Sequence, residues 1–90
     1  MTMTTTLVGV LAQHGNASIL QLPERKFPAI ANEGDSFSTL AKLARAVAAH
    51  AARMNDVELD EDAKELSERL NEILHGYEVA LAAHGIPLPY

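Results

Sequence analysis

The side chains able to act on a substrate are few, and the first is Ser36, in the block Gly34-Asp35-Ser36. A serine becomes a nucleophile when a histidine takes its proton, a carboxylate orients that histidine, and donors await the oxyanion. The nearest carboxylate–histidine pair is Glu72-x-x-His75, and nothing in the spacing joins it to Ser36. Asp35 and Ser36 fit better as a helix N-cap, accepting from the free N–H groups of a first turn. Four histidines, His14, His50, His75 and His84, could move protons or bind metal. No two stand four residues apart, and no His-Glu-x-x-His occurs. Cysteine is absent, which removes thiolate metal sites and thiol nucleophiles together. No catalytic, cofactor-binding or metal-binding residue is expected, and no cofactor.

Three groups of residues remain as binding candidates. Arg25 and Lys26 precede the helix start at Ser36, where free N–H groups and two cations could hold an anion or a small molecule, with His14 as a further member. Glu24, Glu33 and Asp35 lie in the same stretch and oppose an anion there. Glu65, Glu68 and Glu72 form an acidic run that a basic partner could meet, although such runs are usually solvated helix faces. The tail at 86–90, Ile-Pro-Leu-Pro-Tyr, is apolar and stiff, and lacks the PxxP spacing of polyproline ligands. Its Leu88 and Tyr90 are expected to fold back over an open edge of the core or to serve as contacts.

Positioning these groups falls to a chain of 90 residues and 9.7 kDa, enough for one domain over residues 1–90 with a modest core. A hydrophobic share of 48% and a charged share of 21% place it among globular chains rather than disordered ones. The net charge of −5 is unevenly spread. Residues 1–54 carry five basic against three acidic side chains, a net +2, while residues 55–90 carry two against nine, a net −7. An acidic chain without a basic cluster and with four aromatic residues is a poor nucleic-acid binder. No stretch reaches the roughly 20 apolar residues of a membrane span, and residues 1–12 lack the form of a signal peptide. The expectation is a cytoplasmic protein without membrane or nucleic-acid partners. Met1 and Met3 offer alternative starts.

The first third reads as strands. Residues 4–13 are β-branched and apolar, residues 14–16 are turn-like, and residues 17–22 resume the pattern. Leu7, Val8, Val10 and Leu11 leave the first strand apolar on both faces, so it is expected to be covered on both sides or to pair in an oligomer. Pro23 stops the second strand, and residues 27–32 make an optional third, edge strand. Helices follow at 36–54 and 61–84. On the first, Phe37, Leu40, Leu43, Ala44, Val47, Ala48, Ala51 and Met54 share one broad face opposite Lys42, Arg45 and Arg53. The second is expected to open at Asp60, or at Asp62 with Glu65 as a capping box. Its stripe is Ala63, Leu66, Leu70, Ile73, Leu74, Tyr77, Ala80 and Leu81. Gly76 marks a kink or a close contact, and Gly85-Ile86-Pro87 has the form of a Schellman stop. The fold class is therefore α+β: an N-terminal antiparallel β-hairpin packed against a C-terminal antiparallel helical hairpin.

The segment Leu22-Pro23-Glu24-Arg25-Lys26-Phe27-Pro28, followed by Gly34-Asp35-Ser36, resembles a strand-to-helix pattern of small uncharacterised bacterial proteins, L-P-x-R-x-F-P and then G-D-S. The resemblance covers about twenty residues and implies a small bacterial α+β domain of unknown function. Three functions follow from the residues. The first is a non-enzymatic protein-interaction module of bacterial type, binding a protein or itself. The second is a small-molecule or anion binder at Arg25, Lys26 and Ser36, and the third an immunity-like neutraliser of a basic partner through Glu65, Glu68 and Glu72.

Overall fold

The computed structural model describes residues 4–90 and has the element order β1 (Gly9–His14), β2 (Ala17–Gln21), β3 (Ala29–Asn32), α1 (Gly34–Ala51) and α2 (Val57–Ala83). Met1 and Met3 lie outside the described residues. The three strands form an antiparallel sheet in the order β1-β2-β3, and the two helices are in contact, an α+β fold. No helix among the described residues is long and apolar enough to cross a membrane.

The β1–β2 hairpin is tighter than the sequence suggested. His14 pairs with Ala17, so the loop is only Gly15-Asn16, with φ +57° at Gly15. A positive φ at the first loop residue is the type II′ arrangement, whose twist matches the flanking strands. Residues 4–8, expected in the first strand, have no ladder partner. The ladder ends where Gly9 meets Gln21, because Leu22 and Pro23 leave the sheet and proline carries no N–H. Register shifts between Val10 and Ala12, which leaves Leu11 as a bulge. β3 is present as the third strand, with Ile30 opposite Ile19.

α1 starts behind Glu33, whose side chain makes no cap bond. Asp35 sits inside the first turn instead, where its Oδ1 accepts from the Ser36 N–H at 2.8 Å. The helix stops at Ala51, three residues before the expected end. Arg53 and Met54 close tighter turns onto His50 and Ala51, and Asn55 turns left-handed at φ +55°. α2 begins earlier than expected, because Asp56 is its N-cap, accepting from the Leu59 N–H at 3.1 Å. Asp60 and Asp62 are helical. At the far end Ile86 N–H donates to the Leu81 carbonyl at 2.9 Å and Gly85 has φ +67°, completing the Schellman stop.

The two helices run antiparallel along a seam of small side chains. Ser38, Ala41, Ala44 and Ala51 of α1 face Ala63, Ser67 and Leu74 of α2, and Ala41 is wholly buried. Asn71 crosses the seam, donating from Nδ2 to the Ala41 carbonyl at 3.2 Å and to the Ser67 carbonyl at 2.8 Å. The sheet does not lie over this pair. Its extensive contacts are internal, and it meets the helices at one end, where Ile30 and Asn32 stand beside Phe37, Ile73 and Tyr77. β1 is accordingly exposed along its whole length, so of the two expectations for it, coverage on both sides within the chain is not what the structure has. Among the described residues only β2 pairs with it, and it has no extensive contact with either helix.

The result is an elongated molecule, 48 × 30 × 23 Å with a radius of gyration of 16.1 Å. A compact domain of this length has a radius of roughly 12 Å.

Candidate functional site

Arg25 and Lys26 occupy the link between β2 and β3, where Glu24 takes φ +64° and the Gln21 Nε2 donates to the Arg25 carbonyl at 3.0 Å. Together with Leu22, Phe27 and Ala29 they line a shallow cleft, and the Lys26 ammonium sits 5.4 Å from the centre of the Phe27 ring. Ser36 does not line this cleft, and neither does His14, which ends β1. The expected anion set is thus spread over the loop, the helix start and the hairpin. No group of three or more His, Asp or Glu side chains could hold a metal among the described residues.

Glu65, Glu68 and Glu72 are exposed on α2, and Glu65 pairs with Arg69 at 3.1 Å. The tail returns along α2, with Leu88 and Tyr90 half exposed and the Tyr90 hydroxyl donating to Glu78 Oε2 at 2.8 Å. Partial desolvation of the phenol, followed by the hydrogen bond and charge of Glu78, pushes the Tyr90 pKa up to about 12.

The larger surface feature comes from the apolar stripes of the two helices. Leu40, Leu43 and Val47 of α1 are exposed, Leu43 at 59%; so are Leu66 and Ile73 of α2, Ile73 also at 59%. At about 100° per residue each stripe lies roughly 90° from its helix's buried seam, turned to the same hand. In an antiparallel pair that places both stripes on one side. They form a single apolar face, extended by the exposed Ile30 at the sheet junction. The signal was present in the sequence. The stripe of α1 is too broad for one neighbouring helix, and it divides into small residues on one flank and large ones on the other. Only the small flank fits a close helix pair, because alanine and serine let the backbones approach.

Lys42 is exposed on the side of α1 turned away from this face, and Glu58, Glu65 and Glu72 are exposed along the outer side of α2. Altogether the chain exposes 7204 Å², some 2,000 Å² more than the roughly 5,100 Å² of a compact monomer of its mass.

A family model described as a family of unknown function (DUF6959) matches residues 3–90. No curated protein and no solved structure matches the chain.

Proposed function

We propose that this chain, which belongs to the family of unknown function DUF6959, is a non-enzymatic protein-interaction module of bacterial type working in the cytoplasm. The observation that carries the reading is the apolar face of the helical hairpin. Leucine, valine and isoleucine side chains stand in solvent there while the seam behind them is filled by alanine and serine. Burying such side chains stabilises by about 1.5–3 kcal/mol each, and contiguous apolar patches of this kind mark contact surfaces. The uncovered edge of β1 adds a second surface of the same character. A composition without cysteine supports a reducing compartment.

Light scattering on the purified chain, and on the chain recovered under native conditions from its host, tests the reading. A particle heavier than the 9.7 kDa monomer is expected in at least one preparation. A 9.7 kDa monomer in both overturns it.

A further inference from the structure

We draw no further inference here: the strongest candidate, the exposed apolar face of the helical hairpin around Leu43 and Ile73, belongs to the reading already given, and nothing in the structure shows what covers it.

Discussion

The ring of Tyr77 lies against the α-carbon of Gly34, filling the space a β-carbon would occupy. Gly34 has an ordinary negative φ, so glycine stands here for close approach and not for backbone freedom. The contact joins the first residue of α1 to the last third of α2, at the end where the sheet meets the helices. Gly34→Ala is therefore expected to expel the Tyr77 ring and lower stability by about 1–3 kcal/mol. Chemical denaturation measures the loss. Tyr77→Ala in the Gly34→Ala background should add little beyond the single change, since both remove one contact.

Asn71 spans the helix pair with one amide group, and its second acceptor, the Ser67 carbonyl, lies on its own helix. Asn71→Ala is expected to cost about 1 kcal/mol through the lost bonds, and Asn71→Asp more, because a carboxylate would face two carbonyl oxygens. Thermal unfolding of the two variants should rank them in that order, with Asn71→Asp recovering part of its loss at acidic pH, where it is protonated and donates.

The Tyr90 phenol has its pKa raised from 10.0 to about 12. A pKa higher in the folded state means that the neutral form is favoured there. The stabilisation is fully present below pH 10.0 and is lost as pH rises through about 12. Tyrosinate absorbance of the Tyr77→Phe variant, which isolates Tyr90, should give a midpoint near 12. Adding Glu78→Ala should move that midpoint toward 10.0, with desolvation still holding part of the shift.

Gly76 has no neighbour within 4 Å of where a β-carbon would stand, and α2 runs through it unbroken from Val57 to Ala83. The close contact suggested by the sequence is not there, and no packing neighbour explains the glycine. Gly76→Ala is expected to stabilise the chain by up to about 1 kcal/mol, read as a raised denaturation midpoint with unchanged slope.

The element order was legible because it is written in local chemistry. Gly15 and Pro23 punctuate the strands, and Gly85 with Ile86 ends α2 as a Schellman motif. Boundaries slipped where two residues competed for one role. Asp56, Asp60 and Asp62 all suit an N-cap, and the left-handed turn at Asn55 gives it to Asp56. The surface was harder to read than the elements. Hydropathy alone puts Leu43 and Ala44 on one face; it does not show that a close helix pair admits the alanine and excludes the leucine. Likewise, Arg25, Lys26 and Ser36 are near in sequence but divided by β3, a relation that spacing cannot express.

The bulge at Leu11 bears on how this chain behaves when concentrated. An exposed apolar edge strand is an invitation to fibril growth, since each incoming strand finds a row of free N–H and C=O groups. Around Leu11 that row falls out of step, leaving two regular residues on one side, Gly9 and Val10, and three on the other, Ala12 to His14. Neither run is long enough to template a six-residue zipper. A single extra residue thus shortens the regular run of backbone that this exposed strand can offer to an incoming one.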